Sequence, residues 1–309
     1  MVPDRWYVIT EARNVRNNPL GLRRLGHNIV LWRDPSSTIR AAADRCPHKG
    51  ARLSTGRCHD GKLACPYHGF QFDPDGACSH MPVHPTQKPP AAMRLDTIPV
   101  TEACGLVWMW SGPSAPSADV PWFQDVPRTS HTAVSSALEY PVPYSRIVET
   151  NFDVYHLPFV HPVVAYGAGA EVADFSVSVE GEAIHTSGSL RGGRGEVPFH
   201  VDFLPPSIQR LRFMSFDVVI ASTPIDDERA WVWFRYDQGW LRWPPLARLL
   251  GWAAVWLELN VVQGREDIPI LRTLQPTLPG PGDNVWVGAD AGAARYVQWR
   301  ARQLRSAAR

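Results

Sequence analysis

Two short segments of the chain each carry one cysteine and one histidine, and both residue types bind metals. In CPHKG the pair is Cys46 and His48, and in CPYHG it is Cys65 and His68. Each cysteine is followed by a proline, and each histidine has a glycine within the next two residues, so the segments read as near-duplicate stiff loops. Four such side chains predict a metal centre with thiolate and imidazole ligands.

Two kinds of metal centre fit this ligand set. A tetrahedral zinc site can use two cysteines and two histidines. A Rieske [2Fe-2S] cluster binds one iron through two cysteines and the other through two histidines, and glycines beside the ligands let backbone N–H groups approach the sulfur atoms. We therefore interpret Cys46, His48, Cys65 and His68 as Rieske ligands, with a zinc site as the alternative.

A second group of metal-binding side chains follows in ETNFDVYHLPFVH, residues 149–161. On a straight helix His161 would lie about 140° around the axis from His156, so both imidazoles could not reach one ion. Pro158 and Pro162 predict that the helix ends after His156 and that the chain then turns His161 back. Two histidines and one carboxylate are the ligands of non-haem Fe(II) oxygenases.

The spacing alone does not decide which carboxylate completes this iron site. One acid lies on the same predicted helix as the first histidine, and three others lie about a hundred residues later. The candidates are Asp153, Glu258, Glu266 and Asp267.

Composition predicts a chain whose partner is a small molecule or a protein. The 309 residues are 44% hydrophobic and 20% charged, and the net charge is +1. This balance argues against nucleic acid or an anionic membrane as the main partner. We find no apolar run of membrane length and no signal peptide, and so expect no membrane contact and a cytoplasmic location. No dinucleotide-binding fingerprint is present, so electrons must come from another protein.

The order of predicted elements indicates two domains of different character. Short β-rich runs separated by Gly, Pro and Asp predict an all-β domain over 1–112, and a Pro- and Ser-rich stretch predicts a linker over 113–128. Residues 129–309 show a helix at 144–156, strand pairs that include one strand over 211–222, and an amphipathic helix at 246–267. This pattern predicts an antiparallel sheet with helices on one face, and the fold class is α+β.

These motifs, together with the WYV opening and the closing DAGAARYVQWRARQL, resemble the α subunits of Rieske non-haem iron oxygenases, the aromatic ring-hydroxylating oxygenase family. Within it the chain is similar to the single-subunit monooxygenase and demethylase branch. The resemblance implies an N-terminal Rieske [2Fe-2S] domain, then a helix-grip (START-like) antiparallel sheet domain with a long C-terminal helix and a mononuclear Fe(II). It makes Asp267 the third iron ligand, with Glu266 as the alternative. It also makes Asp153 the acid that connects an iron-ligand histidine to a cluster histidine of another subunit.

The same resemblance implies a function. It suggests O₂-dependent monooxygenation, either hydroxylation or oxidative demethylation, of a small organic and possibly aromatic substrate. Electrons would come from a separate NAD(P)H-dependent reductase, directly or through a ferredoxin, and the chain would form a head-to-tail homotrimer. The alternatives are cis-dihydroxylation of an aromatic ring, a Rieske electron carrier without oxygen chemistry, and a zinc-stabilised binding module. We also expect residues 163–175 to form a loop beside the substrate pocket.

Overall fold

The computed structural model describes residues 1–162, 168–192, 195–213, 216–237 and 243–307. Contacts divide the chain into two compact units, one of Asp4–Val120 and the other of Pro121–Arg309 with Met1–Pro3. The first unit is built from strands, and the second combines a large antiparallel sheet with helices. The predicted α+β fold class is confirmed.

The first unit contains three small antiparallel sheets. Their strand orders are β1-β10-β9, β2-β3-β4 and β5-β6-β7-β8. A core of large side chains that includes Trp32, Leu53, Leu63 and Phe72 is buried in this unit, and Cys46 belongs to it. The strands are β1 (Arg5–Glu11), β2 (Leu20–Arg24), β3 (His27–Arg33), β4 (Ile39–Ala43), β5 (Arg57–His59), β6 (Lys62–Ala64), β7 (Gln71–Phe72), β8 (Cys78–His80), β9 (Val100–Ala103) and β10 (Leu106–Ser111).

The second unit is organised around a seven-stranded antiparallel sheet in the order β11-β17-β16-β15-β14-β13-β12. These strands are β11 (Val134–Tyr140), β12 (Glu171–Glu180), β13 (Ala183–Gly192), β14 (Gly195–Leu204), β15 (Ile208–Phe213), β16 (Phe216–Pro224) and β17 (Ala230–Asp237).

Five α-helices accompany this sheet within the described residues. Helix α1 contacts strands β15, β16 and β17, and α5 contacts both β13 and α1. Buried aromatic side chains of α5, Tyr296 and Trp299, pack edge-on against Phe203 of β14. The helices are α1 (Tyr144–Phe152), α2 (Leu157–Val160), α3 (Pro244–Leu257), α4 (Ile268–Leu271) and α5 (Ala291–Ala307).

The helix that carries the first histidine ends earlier than predicted. Helix α1 stops at Phe152, and Asp153 has a non-helical backbone with φ −86° and ψ 72°. A 3-10 turn over Val154–His156 and the short helix α2 follow. The prediction that proline ends the helix after His156 is therefore wrong. Pro158 lies in the first turn of α2, where the missing N–H would have had no helical partner.

The predicted single strand over 211–222 is also wrong. The segment belongs to two strands that pair with each other, with Phe213 opposite Phe216. Both halves of this segment keep a strand-like composition, so the sequence pattern alone does not show where one strand ends and the next begins. Of the expected pocket loop over 163–175, residues 163–167 lie outside the described residues, and from Glu171 onward the chain is strand β12.

The long amphipathic helix is present, but its second half is wider than an α-helix. Helix α3 continues without interruption into a π-helix over Glu258–Asp267 and then into α4. Such i→i+5 segments are rare and occur often at functional sites.

By length and mean hydropathy alone, the continuous helix Pro244–Leu271 could cross a membrane, and it is the one such helix in the part of the chain that is described. A single helix of this kind is weak evidence for a membrane span. The prediction that the chain has no membrane-spanning segment rests on the lack of a long unbroken apolar run, whereas this helix mixes apolar and polar residues.

Glycine at position 56 is required by a close backbone approach. A Cβ at Gly56 would overlap the carbonyl oxygen of Ala64 and would lie 3.2 Å from the Cδ of Pro66. We expect Gly56→Ala to reduce the free energy of unfolding by about 2 kcal/mol, because a rigid backbone must shift to accept the methyl group. Gly288→Ala is the control, because nothing lies within 4 Å of the added Cβ there. Chemical denaturation of both variants measures the difference, and equal stabilities would contradict this account.

Candidate metal centres and the adjoining pocket

The two Cys/His loops have the same backbone hydrogen bonds. The amide of Gly50 donates to the carbonyl of Cys46 at 2.8 Å, and the amide of Gly69 donates to the carbonyl of Cys65 at 3.0 Å. Both glycines have left-handed backbones, with φ of 76° and 72°. Each loop therefore closes in a conformation that favours glycine, and the duplication seen in the sequence is a duplication of shape.

The four candidate ligands of these loops lie together. The Nδ1 atoms of His48 and His68 are 3.2 Å apart, while the thiols of Cys46 and Cys65 are buried and in contact with each other. Burial raises the pKa of the Cys46 thiol to about 11, and the backbone N–H groups of His48 and Lys49 act in the opposite direction.

This arrangement fits a [2Fe-2S] cluster. The sulfur atoms occupy a dry site that already holds backbone donors for a charged thiolate, and the imidazoles lie at the surface with both nitrogens converging. Sequence reasoning proposed these four residues, and the structure brings all four together.

The second candidate centre consists of His156, His161 and Asp267. Each offers one ligand atom, and the three atoms lie within 4.8 Å of one another. One oxygen, Oδ1 of Asp267, is 3.0 Å from Nε2 of His161 and 3.8 Å from Nε2 of His156. Three converging ligand atoms that leave other directions open are the set expected for a non-haem iron site. Because helix α1 ends at Phe152 and the short helix α2 follows, both imidazoles can approach the same oxygen.

The two neighbouring acids of the π-helix contact different nitrogen atoms. Asp267 lies on the Nε2 side of both histidines, whereas Oε2 of Glu266 is 2.8 Å from Nδ1 of His161. Burial lowers the pKa of His161, but its contacts with Asp267 and Glu266 outweigh burial and raise it. Burial lowers the pKa of His156. This geometry favours Asp267 as the ligand and makes Glu266 the acid that orients the ring of His161.

Asp153 lies beside this centre rather than in it. The Nδ1 of His156 donates to the backbone carbonyl of Asp153, and the nearer carboxylate oxygen is 3.9 Å from the same nitrogen. The other oxygen, Oδ1, is buried without a hydrogen-bond partner among the described residues. Burial, followed by the charge of Asp290, raises the pKa of Asp153 to about 6. A buried carboxylate oxygen without a hydrogen-bond partner is energetically costly.

A pocket of about 270 Å³ opens beside the histidines and Asp267. Its walls are mainly apolar side chains of the sheet and of the long helix, among them Leu211, Phe213, Ile220, Phe234 and Leu257. Asn151 also lines the pocket, and its side chain donates to Gln209 at 2.9 Å. An apolar chamber bordered by converging metal ligands is suited to hold an organic molecule next to a bound metal.

One wall of the pocket is polar, and sequence reasoning did not identify it as a group. Gln263 donates to Glu258 at 2.6 Å, Tyr140 donates to Gln263, and Tyr236 is hydrogen-bonded to Glu258. Burial raises the pKa of Glu258. Glu258 and Gln263 are five residues apart, which an α-helix would place on different faces. Only the π-helix, which the sequence does not reveal, makes them neighbours.

Comparison with known proteins gives matches over both units. A family model of the Rieske [2Fe-2S] domain matches residues 5–99. The oxygenase component of dicamba O-demethylase from Stenotrophomonas maltophilia is 29% identical over 257 residues, which cover 82% of this chain and 68% of that protein. Protein TIC 55 of Arabidopsis thaliana is 36% identical over 174 residues, 55% of this chain, and the match spans only 32% of TIC 55.

Solved structures show the same fold. The crystal structure of dicamba monooxygenase bound to 3,6-dichlorosalicylic acid superposes with a TM-score of 0.80 at 22% identity, and the alignment covers 100% of this chain and 99% of that one. The Rieske match replaces the zinc alternative for the Cys/His loops, and the His–His–Asp triad offers the ligand set that a mononuclear iron would need. The chain therefore has a Rieske [2Fe-2S] domain, and over most of its length it is similar to the oxygenase component of dicamba O-demethylase, in line with its resemblance to the α subunits of the Rieske non-haem iron oxygenases.

Proposed function

We propose that the chain is the oxygenase component of a Rieske-type system and that it performs O₂-dependent monooxygenation of a small organic substrate. The observation that carries this proposal is the convergence of His156, His161 and Asp267 on the edge of a largely apolar pocket, in a chain that also holds the Rieske loops. An electron carrier would need neither the second metal site nor the pocket. Hydroxylation or oxidative demethylation is the favoured reaction, since a relative is named a demethylase.

The residues around the triad act on ligand orientation and on water. A bound Fe(II) would supply the oxygen-activating chemistry, with electrons from the cluster. The Asp153 carbonyl binds Nδ1 of His156, and Glu266 binds Nδ1 of His161, so both Nε2 atoms stay available as ligands. The apolar walls exclude water from the substrate and hold it beside the site.

The partners and setting follow from the same proposal. Electrons would come from NAD(P)H through a separate reductase, possibly with a ferredoxin between them. The protein would be cytoplasmic and would form a head-to-tail homotrimer, in which Asp153 connects the iron site of one subunit to the cluster of its neighbour. The unpartnered Oδ1 of Asp153 supports this role, because a donor from another subunit would satisfy it.

Iron content tests the assignment of the two acids. We expect Asp267→Ala to abolish binding of the mononuclear iron, because it removes a ligand. Glu266→Gln should weaken binding by about 10- to 100-fold, because it removes the partner of a ligand. Both variants should keep the visible absorption of the cluster, which a different unit holds. The exposed Glu180→Gln is the control. If Glu266→Gln emptied the site and Asp267→Ala did not, the assignment would be reversed.

Asp153→Asn tests the bridging role. The amide has the same shape but no negative charge, so we expect both metals to stay bound while product formation falls by about 100-fold or more. Metal analysis together with single-turnover product formation from a reduced cluster measures this. Full activity in the variant would remove Asp153 from the electron path.

Mixed trimers test transfer between subunits. His48→Ala lacks a complete cluster site, His156→Ala lacks a complete iron site, and each should be inactive alone. When the two are co-expressed, a subunit with an intact cluster can lie next to one with an intact iron site. Random assembly into a three-membered ring should then restore about a quarter of the wild-type activity. Verified mixed trimers without activity would argue against the inter-subunit path.

A further inference from the structure

We propose that Glu258 is the specificity residue of the pocket and that it selects an apolar substrate carrying a protonated amine. This inference rests on the proposed function, because it takes the pocket beside His156, His161 and Asp267 to be the place where the substrate binds. It adds the chemical class of that substrate.

Glu258 lines the pocket, and its hydrogen bonds within the protein use only part of its acceptor capacity. Gln263 donates to Oε1 of Glu258 at 2.6 Å, and the hydroxyl of Tyr236 is the second hydrogen-bonding neighbour. The amide oxygen of Gln263 is already occupied by the hydroxyl of Tyr140. Gln263 is thereby fixed with its N–H₂ toward Glu258. A carboxylate that receives donors from the protein has only lone pairs to offer a ligand.

The charged groups near Glu258 bear on which ligand it would bind. Within the described residues, no lysine or arginine forms an ion pair with it. The charges that act on it are those of Asp267 and His161, both of the proposed iron site, and Tyr236 acts on it through a hydrogen bond. Burial raises the pKa of Glu258, so its charged form is disfavoured unless a cation lies beside it. An unpaired buried carboxylate is unfavourable, and a cation bound next to it relieves that cost.

The rest of the pocket determines what carries the cation. Apart from this wall and the proposed iron ligands, the lining is dominated by aliphatic and aromatic side chains such as Leu211, Ile220 and Phe234. A volume of about 270 Å³ suits a small compact molecule. Because Glu258 and Asp267 belong to the same π-helix and line the same pocket, an amine held at Glu258 keeps its carbon substituents in the chamber that the proposed iron ligands border.

A matched pair of ligands tests this proposal in the cluster- and iron-loaded protein. N-methylbenzylamine is protonated at neutral pH, and benzyl methyl ether has the same shape but neither charge nor N–H. Phenylacetate adds a negative charge. We expect calorimetric titration to show the amine binding at least about tenfold more tightly than the ether, as for a charge-assisted hydrogen bond, and phenylacetate binding most weakly. Equal binding of amine and ether, stronger binding of phenylacetate, or no amine binding at millimolar concentration would overturn the proposal.

Substitution of Glu258 tests whether this residue causes the preference for the amine over the ether. Glu258→Gln keeps an oxygen that can accept from Gln263 but removes the charge, so the amine should lose its advantage over the ether by about tenfold. The exposed Glu180→Gln should keep the wild-type ratio. An unchanged ratio in Glu258→Gln would show that another group selects the amine. Should the variant fail to fold, as judged by thermal unfolding, the wild-type amine-to-ether ratio still decides.

Iron content and product analysis separate this inference from the proposed function. An amine preference in a protein that binds iron but forms no oxygenated product would leave the selectivity standing and count against the oxygenase. Turnover of the ether without any preference for the amine would support the oxygenase function and count against the selectivity of Glu258.

Discussion

The structure of the second unit depends on one carboxylate oxygen and its approach to two imidazoles. Oδ1 of Asp267 lies near Nε2 of both His156 and His161, although the aspartate follows them by about a hundred residues. Three features make this possible: helix α1 ends before Asp153, the short helix α2 ends directly before His161, and the π-helix carries the aspartate. The sheet supports them, since α1 packs on three of its central strands.

The Rieske loops obey a more local constraint. Each is closed by a glycine with a left-handed backbone that donates to the carbonyl of its own cysteine, so ligand geometry is determined within five or six residues. Sixteen residues lie between His48 and Cys65, and strand β6 ends directly before Cys65. The thiols face the core and the imidazoles face solvent, which places the histidine side of the centre where electrons can be exchanged with a partner.

The pocket of the second unit has a polar wall beside its apolar ones. The wider turn of the π-helix puts Glu258 and Gln263 side by side, and Tyr140 and Tyr236 from two adjacent strands complete the network. The proposed iron ligand Asp267 and the pocket residue Glu258 therefore lie at the two ends of one helical segment. A change in the pitch of this segment would alter both together.

The sequence by itself determined the ligand chemistry of both candidate metal centres. Residue types and short spacings such as Cys-x-His do not depend on how distant parts of the chain are arranged. It also predicted the α+β class, since strand and helix periodicities are local. Only the tertiary structure decided that Asp267 approaches Nε2 of His161 while Glu266 approaches Nδ1, and where the first helix ends. It also decided that β15 and β16 are two strands that pair with each other. These depend on backbone angles at single residues and on contacts across about a hundred residues. The polar wall around Glu258 shows the reason most directly, because its members become neighbours only through a π-helix and a strand pairing that no local pattern encodes.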